Sequence, residues 1–259
     1  MWTEVEGQRF HARVPIQQPS KGPDVVLVHG FGVSSRTMAP TAQAWAPHCR
    51  VYAPDLPGHG LSYKPPPALD PTGLAEALAQ WMTAVGLQHA CLLGNSYGCQ
   101  IIVEFALRHP ERIERLILQA PTVDPNGRDL PRQLARRLLS GWRERNEPAD
   151  DETAKDWREM GLRQMVKDAR YALRDPIEEK LPHIQAPTLV VRGSRDPIVP
   201  QRWAEEATTL LPRGQLVVLP DAIHTITSTR PDQLVEAILP FLKEGTDEDK
   251  QSAHGNGGR

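Results

Sequence analysis

Strand and helix signals alternate through most of the chain. This alternation predicts a mostly parallel, twisted α/β sheet with helices on both faces. Three observations carry the prediction. Short continuous apolar runs recur, as strands buried on both sides require. Several of these runs end in clusters of Gly, Pro and Asp, which mark turns. Segments with apolar residues at helical spacing separate them.

Residues 3–14 hold one or two short N-terminal strands. Asp24 to Val28 (DVVLV) reads as a buried strand that stops at His29-Gly30. Arg50 to Pro54 reads as the next, ending in the turn-rich Asp55-Leu56-Pro57-Gly58-His59-Gly60. Leu74, Leu78, Trp81, Met82 and Val85 mark one face of a helix from Thr72 to Val85. Ala90 to Leu93 is a strand, Tyr97 to His109 a helix with an apolar face, and Leu116 to Leu118 another strand. Pro187 to Val191 and Gln215 to Leu219 supply two more, with a helix starting near Pro200 between them. A final helix runs from about Thr229 to Leu242.

The stretch 122–180 breaks the pattern, because it holds no strand signal. Leu130, Leu134, Leu138 and Trp142 fit one helix; Trp157, Met165, Val166, Ala169 and Leu173 fit another. An all-helical insertion between two core strands predicts a cap, or lid, over a core made of residues 1–121 and 181–244. Residues 245–259 contain no bulky apolar side chain and are expected to form a disordered tail.

The 259 residues allow one large domain or two small ones. With 39% hydrophobic and 24% charged residues, the chain can build a core and excludes collagen, coiled coil and wholesale disorder. A net charge of −2 argues against nucleic acid as a partner. No apolar run approaches a membrane span, and the start MWTEVEGQRFHARVP does not read as a secretory signal. Cys49, Cys91 and Cys99 form an odd set without zinc-like spacing. They read as reduced, buried thiols of a cytoplasmic protein.

The strongest chemical signal is Gly94-Asn95-Ser96-Tyr97-Gly98. It matches G-x-S-x-G and lies directly between an expected strand and an expected helix, the context a nucleophile elbow demands. Small neighbours permit a tight turn that projects the Ser96 hydroxyl beside a helix N-terminus, where developing negative charge is favoured.

With His29-Gly30-Phe31-Gly32, Pro54-Asp55-Leu56-Pro57-Gly58-His59-Gly60-Leu61-Ser62 and Gly193-Ser194-Arg195-Asp196-Pro197-Ile198-Val199-Pro200, this elbow makes residues 3 to about 243 resemble the α/β-hydrolase family. The resemblance implies an eight-stranded sheet with a cap inserted where 122–180 falls. It also implies the order Ser, acid, His for a catalytic triad. On that order Ser96 is the nucleophile, Asp196 the orienting acid and His224 the general base. Asp124, after the preceding strand, is a competing acid, because some relatives place the carboxylate there. His89 and His183 compete with His224 but follow no core strand. Relatives usually carry Gly before the histidine, where this chain has Ile223. The resemblance further implies an oxyanion hole from the backbone N–H groups of Phe31 and Tyr97, with structural roles for His29 and His59.

Trp142, Trp157 and Met165, with Met160 and Tyr171, either line a substrate pocket or pack the cap on the core. Residues 128–174 carry 12 Lys and Arg against 9 Asp and Glu. That surplus suits either an Arg-lined entrance for an acyl group bearing a carboxylate or a solvated helical face. The resemblance implies a serine hydrolase acting on small to medium carboxylic esters, with no metal and no organic cofactor. The alternatives are a C–C bond hydrolase of ring-cleavage products, a cofactor-free haloperoxidase or perhydrolase type, a lactonase, an acyltransferase and a non-catalytic ligand receptor.

Overall fold

The computed structural model describes residues 1–19, 21–145 and 151–243. Eight strands form one sheet: β1 (Trp2–Val5), β2 (Gln8–Arg13), β3 (Asp24–Val28), β4 (Arg50–Pro54), β5 (Ala90–Asn95), β6 (Ile113–Gln119), β7 (Thr188–Gly193) and β8 (Gly214–Leu219). Their order is β1-β2-β4-β3-β5-β6-β7-β8. The β1–β2 and β2–β4 pairs are antiparallel, and every pair from β4 to β8 is parallel. The expected tail at 245–259 lies outside the described residues.

Because side chains alternate across a strand, each central strand feeds two cores. Register places Leu27 beside Leu93, Leu93 beside Ile117 and Ile117 beside Leu189. That row packs with Trp45 of α1 (Ala39–Trp45), with Ile226 of the short α9 (Ile226–Thr229), and with Leu234, Ile238 and Phe241 of α10 (Pro231–Lys243). On the other face, Val26, Leu92 and Leu116 pack with residues of α2 (Pro71–Ala84) and α3 (Tyr97–Arg108), including Leu78, Trp81, Ile102 and Phe105. Trp203 of α8 (Gln201–Leu210) belongs to the same core. Helix α1 has no counterpart in the sequence-based expectation. It spans seven residues, of which Thr41, Ala42 and Trp45 are buried, too few to set a period.

Among the described residues, four α-helices lie between β6 and β7: α4 (Leu130–Glu144), α5 (Asp151–Met160), α6 (Leu162–Arg174) and α7 (Ile177–Lys180). Two buried carboxylates fasten α5 and α6 to the loops above the sheet. Asp156 on α5 accepts from the Ser34 backbone N–H at 2.8 Å and its hydroxyl at 2.9 Å, and pairs with Arg36. Asp168 on α6 meets His59 Nε2 at 3.1 Å and accepts from Gln164 at 3.0 Å. Helix α4 is held differently. Ser140 is its one buried side chain, and polar links from Arg136 to Asp124 (2.8 Å) and from Arg143 to the Arg195 carbonyl (2.6 Å) tie it down.

Asp55 is the hub at the end of β4. It accepts from the Ser35 N–H at 2.7 Å and the Leu61 N–H at 3.0 Å, and it meets His11 Nδ1 at 2.7 Å. Burial alone would raise this carboxyl, but the hydrogen bonds from His11, Leu61 and Ser35 outweigh it and hold the group well below its ordinary value. A depressed carboxyl stabilises the fold above its unfolded value, near pH 4, and loses that contribution as pH falls through the folded value. Asp55→Asn is therefore expected to cost about 2 kcal/mol at neutral pH. The Tm gap to the parent protein should narrow as pH drops below about 4. A gap that stays constant with pH would remove Asp55 ionisation from the stability of this region.

Candidate active site

Ser96 stands between the last residue of β5 and the first turn of α3. Its backbone sits at φ 53° and ψ −114°, a strained conformation for a residue with a side chain. The turn is held by its N–H, which donates to the Gln119 carbonyl at 2.9 Å. A Cβ on Gly98 would lie 2.4 Å from the Val28 carbonyl oxygen, and one on Gly94 would lie 2.6 Å from the Gly98 carbonyl carbon. Both clashes are with backbone, so the glycines are what let α3 start directly against the ends of β3 and β5.

Asp196 follows β7 and His224 follows β8, and these two strands are adjacent and parallel. Their following loops therefore open at the same carboxyl edge of the sheet as Ser96. His224 Nδ1 lies 2.8 Å from Asp196 Oδ2, and His224 Nε2 lies 3.0 Å from Ser96 Oγ. Asp196 is fixed from its other side, where Oδ1 accepts the N–H groups of Ile198 (2.7 Å) and Val199 (3.1 Å). An imidazole that donates from Nδ1 to this carboxylate would present its Nε2 lone pair to the Ser96 hydroxyl. An arrangement of this kind can draw a proton from a serine as the oxygen attacks an electrophile.

The loop after β3 comes up beside Ser96. A Cβ on Gly30 would be 2.8 Å from Asn95 Oδ1, 3.2 Å from the Asn95 carbonyl oxygen and 3.4 Å from Ser96 Cβ, so a larger residue here would have to shift Asn95. Phe31, next in the chain, lines the cavity with Ser96. Tyr97 is the first residue of α3, where backbone N–H groups have no partner within the helix. Its phenol is buried, and burial pushes its pKa up, so the hydroxyl stays protonated.

A cavity of about 330 Å³ opens above Ser96 and His224. Its walls are mainly apolar and come from the turn at Ser96, the loop after β3 and helices α4, α5 and α6; Val123, Leu134, Trp157, Met165 and Leu173 contribute. Trp142 does not line it, contrary to the pocket expectation. It lies two turns beyond Leu134 on α4, is 58% exposed, and has the Arg145 guanidinium over its ring at 5.3 Å. Its apolar spacing belongs to a stripe that runs past the cavity. Trp157 and Met165 do line it.

Asp124 is turned to another task. Its Oδ2 accepts from Arg136 and Arg202, and its Oδ1 accepts from the Asn126 N–H at 3.0 Å. Burial works to raise this carboxyl, but the two arginines prevail and hold it below its ordinary value. It thus joins α4 to α8. His29 accepts the Leu56 N–H at Nε2 and meets the Gly30 carbonyl at Nδ1, each at 3.1 Å. Burial, then the neighbouring His59, push its pKa down to about 3, so it is a neutral tie between loops. Cys99 is buried, with its thiol directed at the Gly94 carbonyl at 3.1 Å. Ile223, directly before His224 where glycine was expected, is buried at 1% exposure.

Sequence reasoning missed Gln119. Its side chain is hydrogen-bonded by Asn95 and donates to the His224 carbonyl at 3.3 Å, so it couples the elbow to the histidine loop. The available signal was a polar side chain closing the apolar run Leu116-Ile117-Leu118. Among the described residues, no helix is long and apolar enough to cross a membrane, and no cluster of His, Cys, Asp and Glu has the makings of a metal site.

A family model described as the alpha/beta hydrolase family matches residues 25–237. Carboxylesterase YbfK of Bacillus subtilis is 26% identical to this chain, over 88% of it and 82% of its own length. A pimeloyl-[acyl-carrier protein] methyl ester esterase of Chromobacterium violaceum is 30% identical, over 88% of this chain and 97% of its own. Among solved structures, a membrane phospholipase A is similar with a TM-score of 0.78 at 26% identity, covering 95% of this chain and 86% of that one.

Proposed function

The chain belongs to the alpha/beta hydrolase family, and on that premise we propose that it cleaves carboxylic esters of small to medium size with Ser96 as nucleophile. The observation that carries the reading is the unbroken path from Ser96 Oγ through His224 (3.0 Å) to Asp196 (2.8 Å) at the floor of an apolar cavity. The relatives named carboxylesterase and methyl ester esterase support the reaction class.

In the proposed cycle, Ser96 Oγ attacks the ester carbonyl carbon while its proton passes to His224 Nε2. The carbonyl oxygen becomes an oxyanion met by the N–H groups of Phe31 and Tyr97. Collapse breaks the bond to the alkoxy group, which leaves as the alcohol with the proton from Nε2. Water then attacks the acyl carbon and gives its proton to Nε2. Collapse of that second intermediate returns the proton to Ser96 Oγ and releases the acid. Asp196 holds the imidazole in place and stabilises its charged form throughout. Side chains and backbone handle every proton and electron pair, so the scheme calls on no metal or organic cofactor.

The test is steady-state turnover of p-nitrophenyl esters of increasing acyl length, alongside a lactone and a ring-cleavage product. The short and medium esters are expected to turn over fastest. Consumption of the ring-cleavage product alone would reassign the reaction to C–C hydrolysis. Stoichiometric ligand binding with no turnover would make the protein a receptor.

A further inference from the structure

Among the described residues that line the cavity, Arg137 on α4 is the one permanently charged side chain. Its side chain is 43% exposed, so water also reaches the guanidinium, and its ion pair with Glu144 is at the long end of the range. Its Nη1 is 3.5 Å from Glu144 Oε2, while Glu144 Oε1 already accepts the Ser140 hydroxyl at 2.6 Å. Its other contact is the Trp157 ring, 5.9 Å from the guanidinium carbon to the centroid, which uses none of its N–H groups. Neighbouring cap arginines are engaged at shorter range: Arg136 with Asp124 at 2.8 Å, Arg143 with the Arg195 carbonyl at 2.6 Å and Arg128 with the Asp175 carbonyl at 2.8 Å. Arg137 thus keeps most of its planar fork of donors for a guest in the cavity, and a carboxylate matches that fork.

We propose that Arg137 makes this cavity a site for esters that carry a second, ionised carboxylate, bound by the guanidinium while the ester carbonyl lies against Ser96. This deepens the ester-hydrolase reading and rests on it. The volume of about 330 Å³ suits a small half-ester. The carboxylate can belong to the acyl half, as in a monoester of a dicarboxylic acid, or to the alcohol half, as in an ester of a hydroxy acid.

The experiment compares kcat/KM for monomethyl and dimethyl esters of a series of dicarboxylic acids. A parallel arm uses acetyl esters of hydroxy acids and their neutral methyl esters. The parent protein is expected to favour the charged member in one arm, which identifies the half that bears the carboxylate. Arg137→Met, which keeps length and apolar contact, is expected to lower the charged-to-neutral ratio about 10- to 100-fold, the loss of one charge-assisted pair. Arg137→Lys should recover part of it. A ratio that Arg137→Met leaves unchanged in both arms overturns the proposal.

Calorimetric titration of free dicarboxylates into Ser96→Ala protein, with and without Arg137→Met, separates this site from the chemistry. Arg137-dependent binding without ester turnover in the parent protein would keep the subsite and discard the esterase reading. Binding that ignores Arg137 would discard the subsite whatever the turnover.

Discussion

Ser96→Ala is expected to lower kcat for a short p-nitrophenyl ester by a factor on the order of 10⁶, with a much smaller change in KM. The hydroxyl oxygen is the atom that would bond to substrate, and it is the one that lies 3.0 Å from His224 Nε2. Cys99, one turn further along α3, is buried, and its thiol points at the Gly94 carbonyl. Desolvation pushes that thiol well above its ordinary value, which withholds the thiolate. The residual rate would come from water in the same cavity, aided by the Phe31 and Tyr97 N–H groups and by His224. The substitution removes one small atom from a turn held by the Gln119 carbonyl and by close glycine packing, so the fold should be unaffected. Parallel melting curves check that point. A loss below about tenfold would show that Ser96 does not carry the chemistry.

The second large effect is expected at Asp196. Asp196→Asn should lower kcat by about 10⁴ while leaving the loop folded. The Ile198 and Val199 N–H groups can still bond to the amide oxygen. That leaves the amide NH₂ facing His224 Nδ1, where a carboxylate stood. The imidazole must then accept at Nδ1 and carry its proton on Nε2, the nitrogen that should take the proton from serine. Asp124→Asn is the control, because Asp124 is committed to Arg136 and Arg202. It should lower stability by loosening the tie between α4 and α8 and reduce kcat far less. The reverse pattern, a collapse of kcat at Asp124 and little change at Asp196, would exchange the acids.

The two substitutions also mark where the sequence was legible. Ser96 could be read directly, because an apolar run, two glycines and a helical face sit side by side, and the turn they force is local. Asp196 and His224 could be proposed only through resemblance. Their meeting with Ser96 depends on the parallel stacking of β5, β6, β7 and β8, which no short window contains. The strand rows were visible as continuous apolar runs because both faces of the sheet are covered. Helix α1 was not, since seven residues give just under two turns.

In helices α4 to α6, sequence pattern misleads more than it informs. Leu134 and Trp142 share a stripe, yet one lines the cavity and the other lies outside it. Asp156 and Asp168 read as ordinary helix charges. Their partners Ser34 and His59 lie 122 and 109 residues away, so only the folded chain shows them as buried clasps. Arg137 is one of 12 basic residues between 128 and 174. The basic surplus suited either an acyl group bearing a carboxylate or a solvated helical face, and it did not single out the arginine that lines the cavity.

The most direct test is covalent. A fluorophosphonate reacts with a serine only where a base takes its proton and donors receive the developing oxyanion. After labelling and proteolysis, mass spectrometry is expected to find one adduct, on the peptide containing Ser96, and none in Ser96→Ala protein. An adduct on a different residue, or Ser96→Ala protein that labels as fast as the parent, would contradict the assignment of this serine as the nucleophile.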